Sequence, residues 1–139
     1  MNSDCEVLRY LYLTADERVK CLNALLKQDY SPAFVYVLAN ELSNSRRIRL
    51  NAKAALTRLN IPVTQLIGTL PPQKAAKTRG VEKDEKKVAE TLIKNATAQV
   101  IGIGKKLKEN KDCNAKIIRL AEKNIEIENM FMARLRGFL

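Results

Sequence analysis

Four stretches of this chain carry apolar residues at steps of three or four, which is the spacing of one buried face on an α-helix. The clearest stripe follows the dipeptide Ser31-Pro32. Its members are Phe34, Leu38, Leu42, Ser45, Ile48, Ala52, Ala55 and Leu59. Because each stripe must be covered by another element, four of them favour an all-α protein in which helices pack on helices.

Two capping boxes near the start of the chain predict two separate helices. The segments Ser3–Glu6 and Thr14–Glu17 both place a hydroxyl three residues before a glutamate, and such a pair satisfies two backbone N–H groups at a helix start. We therefore expect a short N-terminal lead-in helix over 3–13, then a bend, then the first main helix over 15–27.

Three further helices complete the predicted set. Ser31-Pro32 has the residue types favoured at the N-cap and at the first helical position, so a second helix is expected from there to about residue 60. A third is expected over 83–109 and a fourth over 115–137. Gly102 and Gly104 lie inside the third helix, where they are either tolerated weak points or the mark of a closely packed neighbour.

A long connection separates the second and third helices. It contains Pro71-Pro72 and scattered basic residues, which are typical of an exposed loop. The predicted fold is an antiparallel four-helix bundle made of two helical hairpins joined by this crossover. We expect one domain over 1–139, with the first hairpin over 15–68, the linker over 69–82 and the second hairpin over 83–139.

Histidine is absent from the 139 residues. This excludes a Ser-His-Asp triad, a Cys-His pair and histidine-ligated zinc or haem. The three cysteines, Cys5, Cys21 and Cys113, are odd in number and lack metal-type spacing, so neither a disulfide framework nor thiol catalysis is expected. No apolar run is long enough for a membrane span, and the N-terminus is acidic where a secretory signal is basic. We expect a cytoplasmic protein without a cofactor.

The sequence resembles small bacterial members of the ferritin-like superfamily over roughly residues 22–135. The similar segments are Leu22–Leu26, Ala54–Pro62, Leu107–Asn110 and Glu126–Leu135. The resemblance implies a ferritin-like bundle that often pairs as a homodimer. Members of this superfamily are known for a site that holds two iron ions. That site needs a Glu from each of two helices and a Glu-x-x-His motif from each of the other two.

The resemblance places Lys27, Ala96 and Asn129 at positions where that metal pair would be held. An ammonium repels a cation, and alanine has no ligand atom. With no histidine anywhere, the metal ligands are missing, and neither a di-iron oxidase nor an iron store is expected.

A polar seam is expected in the second hairpin. Glu128 in the last helix lies toward Asn124 and Asn95 by helical spacing. Such a cluster either binds a small polar ligand or one cation, or fixes the register of the helices. Glu126 lies two residues away and points to a different face.

Basic residues form two clusters that are candidates for anion binding. The chain carries 25 Lys and Arg against 15 Asp and Glu, a net charge of +10. Nine basic and six acidic residues precede residue 70, whereas sixteen and nine follow it. The candidate residues are Arg46, Arg47, Arg49, Lys53, Lys105, Lys106 and Lys108. They lack interleaved aromatic residues, so any nucleic-acid binding would be electrostatic and independent of sequence.

Three functional hypotheses follow. The first is a non-catalytic ferritin-like bundle without a di-iron site, which acts as a binding or interaction protein and forms a homodimer or contacts a protein partner. The alternative is a basic protein that binds nucleic-acid phosphates. The third is an enzyme that uses only carboxylates, with Glu41, Glu90 or Glu128 as the base; nothing in the sequence ties these residues to a substrate.

Overall fold

Helices account for most of the part of the chain that the structure describes. The computed structural model describes residues 3–63 and 82–139. Its helices are α1 (Ser3–Leu25), α2 (Pro32–Arg58), α3 (Glu85–Glu109) and α4 (Ala115–Leu135), followed by a 3₁₀ turn (Arg136–Phe138). No strand occurs within these ranges. The predicted all-α class with four long helices is confirmed for them, whereas nearly all of the predicted linker lies outside the described residues.

Side-chain caps fix where three of the helices begin. The hydroxyl of Ser31 accepts a hydrogen bond from the backbone N–H of Phe34, as predicted for the N-cap of α2. Asp84 caps α3 and Asn114 caps α4 in the same manner. The third helix therefore begins at Glu85 instead of residue 83, because the side chain of Asp84 serves as its cap.

The expected lead-in helix and bend are wrong, since α1 is one continuous helix. The hydroxyl of Thr14 donates to the carbonyl oxygens of Tyr10 at 2.8 Å and Leu11 at 3.3 Å. The Thr14 hydroxyl thus forms its hydrogen bonds within α1 and does not cap a new helix. Leu13 and Ala15, on either side of Thr14, are also buried. This part of α1 therefore packs in the core.

Two apolar clusters make up the core, and each contains residues from all four helices. One cluster includes Leu22, Phe34, Leu92 and Phe131, and the other includes Leu8, Leu56, Ile103 and Ala121. On every helix, buried polar residues lie at or beside the boundary between the two clusters. The helical core is therefore interrupted by a polar layer near its middle.

Packing among the helices is closest within two pairs. α1 contacts mainly α2, and α3 contacts mainly α4, with smaller contacts of α1 with α3 and of α2 with α4. A side chain at Gly102 in α3 would overlap the hydroxyl of Tyr10 in α1, whereas a Cβ at Gly104 would meet nothing within 4 Å. Gly102 thus marks a close approach between helices, and Gly104 does not. None of the described helices is long and apolar enough to cross a membrane.

Candidate functional site

The interior polar residues form one layer to which every helix contributes. We call it the central polar layer and define it as Arg18 of α1, Glu41 of α2, Gln99 of α3, and Asn124 and Glu128 of α4. Each of these residues is 4% exposed or less. Charged side chains are rarely buried to this degree unless they are paired, so the contacts inside the layer decide its chemistry.

The guanidinium of Arg18 lies at the centre of this layer. Its Nη1 atom is 2.8 Å from Glu41 Oε2 and 2.7 Å from Glu128 Oε1. Its Nη2 atom donates to Gln99 Oε1 at 3.2 Å. The guanidinium carbon also lies 5.2 Å from the ring centroid of Phe131, within the range of a cation–π contact. One arginine therefore joins the other three helices through polar contacts.

Arg18 keeps its charge in this environment. Burial alone would lower its pKa, but the nearby carboxylates of Glu128 and Glu41 more than compensate and raise the pKa above its ordinary value. Arginine is effectively always protonated in proteins. The layer thus contains a permanent buried cation held against two acidic side chains.

The same environment favours the charged form of Arg18 but the neutral form of Glu41. Burial, a hydrogen bond with Glu128 and the charge of Glu128 raise the pKa of Glu41 well above its ordinary value, and Arg18 only partly opposes this. A proton on Glu41 removes one negative charge from the layer, and a low-dielectric interior disfavours an excess of charge.

The predicted polar seam is only partly assembled. The structure places Asn124 and Glu128 inside the layer, one helical turn apart on α4. Asn95 is half-buried on α3, one turn before Gln99, and Glu126, which was expected on a different face from Glu128, is exposed. Ala96 is buried, but Lys27 and Asn129 are exposed. The last two therefore do not lie in the helical interior, where the resemblance had placed them.

Sequence reasoning missed Arg18 and Gln99 altogether. The signal was present, because Leu11, Arg18, Leu22 and Leu25 share the helical spacing of the stripe on α1. A charged residue at a stripe position is either turned out to solvent or paired inside. Glu41, which the sequence singled out only as a candidate base, occupies such a position three residues after Leu38.

The predicted anion-binding residues divide into paired and unpaired groups. Arg49 contacts Asp16 at 3.1 Å, and Lys106 contacts Glu6 at 3.4 Å, so both are already engaged with α1. Arg46 reaches the amide oxygen of Asn23 at 3.5 Å. Four further residues are exposed and have no acidic partner among the described residues. They are Arg47, Lys53, Lys105 and Lys108.

The three candidate bases differ in exposure and pairing. Glu90 is exposed on α3, whereas Glu41 and Glu128 are enclosed and already paired with Arg18. Among residues 3–63 and 82–139, no three His, Cys, Asp or Glu side chains come together as a metal ion would require. Two acids, Glu41 and Glu128, thus lie around the internal cation Arg18, whereas other cations lie on the surface.

No protein-family model matches the chain, and no curated protein or solved structure is significantly similar to it. What the protein does must therefore be inferred from its own residues.

Proposed function

We propose that this protein is a non-catalytic antiparallel helical bundle of ferritin-like architecture, in which its own arginine occupies the place of a metal, and that it acts by binding a partner. The observation that carries the proposal is the position of Arg18, which is fully buried and lies within 2.8 Å of carboxylates from two other helices. A guanidinium in that position uses the oxygen atoms that a metal ion would need.

The same contacts argue against catalysis by the interior acids. A general base must come within hydrogen-bond distance of the proton that it removes. Glu41 and Glu128 are about 1% exposed, and each lies within 2.8 Å of the guanidinium. We assign them the role of balancing the charge of Arg18. The residues that carry the function of the protein are then those on its surface.

Elemental analysis tests this proposal. Protein produced in medium supplemented with iron and manganese should contain far less than one metal ion per chain after desalting. The metal content of two variants is compared with that of the wild type. Arg18→Met removes the buried cation and frees the carboxylates of Glu41 and Glu128. Arg49→Met is the control, because it removes a guanidinium that is paired on the outside of the same helices. Stoichiometric iron or manganese in the wild-type protein would overturn the proposal.

The binding partner is expected to use the surface, and a homodimer is the first arrangement to test. Light scattering during size-exclusion chromatography gives the mass of the species in solution directly. A mass of twice 15.7 kDa at micromolar concentration supports a homodimer, and a single-chain mass leaves a different protein as the partner.

A second candidate function rests on the unpaired surface cations Arg47, Lys53, Lys105 and Lys108. Together with the net charge of +10, they favour contact with a phosphate backbone. Fluorescence anisotropy with a labelled DNA duplex at two salt concentrations measures this. Binding should weaken steeply with salt, and Lys105→Gln/Lys108→Gln should weaken it more than Lys106→Gln, because Lys106 is already paired with Glu6. No binding at low salt eliminates this function.

A further inference from the structure

A cavity of about 230 Å³ lies between the end of α2 and the beginning of α4. Much of its lining is apolar and comes from three helices, with Leu8 from α1, Ala54 from α2 and Ile117 from α4 among the residues. Sites for drug-sized molecules measure about 300–1,000 Å³. An occupant of this cavity is therefore a smaller molecule, and part of it meets apolar side chains.

The polar side chains that line the same cavity are Asn51, Arg58 and Lys116, and all three are exposed. An amide group, a guanidinium and an ammonium together offer hydrogen-bond donors and two positive charges. Within the described part of the chain, no acidic side chain lines the cavity, and neither Arg58 nor Lys116 forms an ion pair. The two charges at this cavity therefore lack a balancing anion.

We propose that this cavity binds a small amphipathic anion, whose acidic headgroup contacts Arg58 and Lys116 and whose short apolar chain contacts Ala54 and Ile117. Carboxylate and phosphate oxygens accept the charge-assisted hydrogen bonds that a guanidinium and an ammonium donate. The apolar lining adds binding free energy only to a molecule that also carries an apolar chain. A metal cation is disfavoured because both charges would repel it.

The inference rests on the proposed role of the surface in binding and names a class of ligand for it. The two are nevertheless tested separately. Elemental analysis decides whether the interior holds a metal, and light scattering decides whether the chain forms a dimer. A ligand titration decides only whether this cavity is a binding site.

Titration of the isotope-labelled full chain, followed by nuclear magnetic resonance, locates the binding and measures its affinity. The probes are octanoate and octyl phosphate, which share a chain but differ in the headgroup. At least one should shift the backbone amide signals of residues 51–58 and 115–120, and the tighter probe identifies the headgroup. Octanol lacks the charge and acetate lacks the chain, so each should bind about tenfold more weakly or worse.

A pair of double variants separates the cavity from the overall charge of the protein. Arg58→Gln/Lys116→Gln should weaken binding of the tighter probe about tenfold or more, because both headgroup contacts are lost. Arg47→Gln/Lys105→Gln removes the same charge at exposed positions outside the cavity, so it should bind like the wild type. All four positions are exposed, and circular dichroism verifies that both variants fold.

A second pair of variants tests the apolar part of the cavity. Ala54→Leu leaves every charge in place but fills space beside Ile117, so it should weaken binding of the same probe. Ala39→Leu adds the same bulk at an exposed position elsewhere on α2, and it should leave binding unchanged.

Three results would overturn the proposal. One is the absence of amide shifts with both probes at millimolar concentration. Another is an equal loss of affinity in the two double variants, which would show that only the overall charge attracts the probe. The third is unchanged binding in Ala54→Leu, which would show that the chain of the probe does not enter the cavity.

Discussion

The carboxylate of Glu85 in α3 accepts two hydrogen bonds from Ser31, one from its backbone N–H at 2.6 Å and one from its hydroxyl at 2.9 Å. Ser31 is the N-cap of α2, so the first turn of α3 supports the beginning of a helix 54 residues earlier in the chain. Asp4 has a comparable role at the start of α4, where it accepts from the backbone N–H of Asn114 at 2.7 Å.

Glu85→Ala should lower the free energy of unfolding by about 1 kcal/mol, because it removes two hydrogen bonds that position an N-cap. Urea denaturation followed by circular dichroism measures this change. The matched control is Glu90→Ala, an exposed acid on the same helix, which should change stability by less than about 0.5 kcal/mol. Equal effects from the two substitutions would contradict the role assigned to Glu85.

Arg18→Met should destabilise the protein by roughly 3–5 kcal/mol, because it leaves two acidic side chains in the core without their cation. Arg49→Met is the control, since the ion pair of Arg49 with Asp16 is partly exposed and such pairs contribute about 1 kcal/mol or less. Equilibrium urea denaturation of both variants provides the comparison.

A triple variant distinguishes two reasons why Arg18→Met would be unstable: the loss of a charge partner and the loss of packing. Adding Glu41→Leu and Glu128→Leu to Arg18→Met removes the stranded acids, so most of the lost stability should return. If the triple variant is less stable than Arg18→Met alone, the layer is held by the shape of its side chains and not by charge balance.

Glu41 should make the folded protein less stable as the pH rises above its ordinary carboxyl range. Because the pKa of Glu41 is raised in the folded state, the folded protein binds this proton more tightly than the unfolded chain does. The stabilising contribution is complete below the unfolded pKa of about 4.5 and is lost as the pH rises through the folded value.

Glu41→Gln keeps the size and a hydrogen-bond donor but removes this titration. Urea midpoints measured from about pH 5 to pH 8.5 should therefore decline less for the variant than for the wild type. Glu90→Gln serves as the control, with a profile parallel to the wild type. Parallel profiles for Glu41→Gln and wild type would show that Glu41 does not hold a raised pKa.

The two glycines of α3 should respond oppositely to alanine. Gly104→Ala should stabilise the protein by about 0.5–1 kcal/mol, because nothing lies near the new methyl group and alanine favours helix. Gly102→Ala should lose that gain or destabilise, because the methyl overlaps the hydroxyl of Tyr10. Thermal unfolding measures both. Adding Tyr10→Leu should recover Gly102→Ala, and no recovery would locate the strain elsewhere.

The three thiols should be unreactive in the folded protein. Burial raises the pKa of Cys21 to about 11. Burial together with Asp4 raises the pKa of Cys113 to about 12, and burial also raises the pKa of Cys5. At pH 7.5 very little thiolate is present to react. Ellman's reagent should therefore label the cysteines slowly in buffer and rapidly in urea, and fast native labelling would show that the helices open readily.

The regular part of the fold could be predicted from the sequence because local signals carry it. Ser31-Pro32 fixed the start of α2, and the apolar stripes located all four helices. The lead-in helix was wrong because a threonine that can cap a helix can also donate to the carbonyl four residues earlier, as Thr14 does to Tyr10. Only the surrounding burial decides between these two uses.

The candidate site was harder to predict because it depends on contacts between distant residues. Arg18 pairs with Glu41, 23 residues away, and with Gln99, 81 residues away. Spacing within one helix placed Asn124 and Glu128 on one face, but it could not reveal which cation from another helix they would meet. Lys27 and Asn129, which the resemblance set at metal-binding positions, are exposed.

The division of the core into two apolar clusters has a consequence for how this chain can change over generations. Residues at either end can be exchanged for others of similar volume, a few at a time and separately from the opposite end. The three charged residues between them, Arg18, Glu41 and Glu128, have no such freedom, because losing one leaves the others without a charge partner. The ends of the molecule can therefore drift in sequence, whereas the middle can change only as a set.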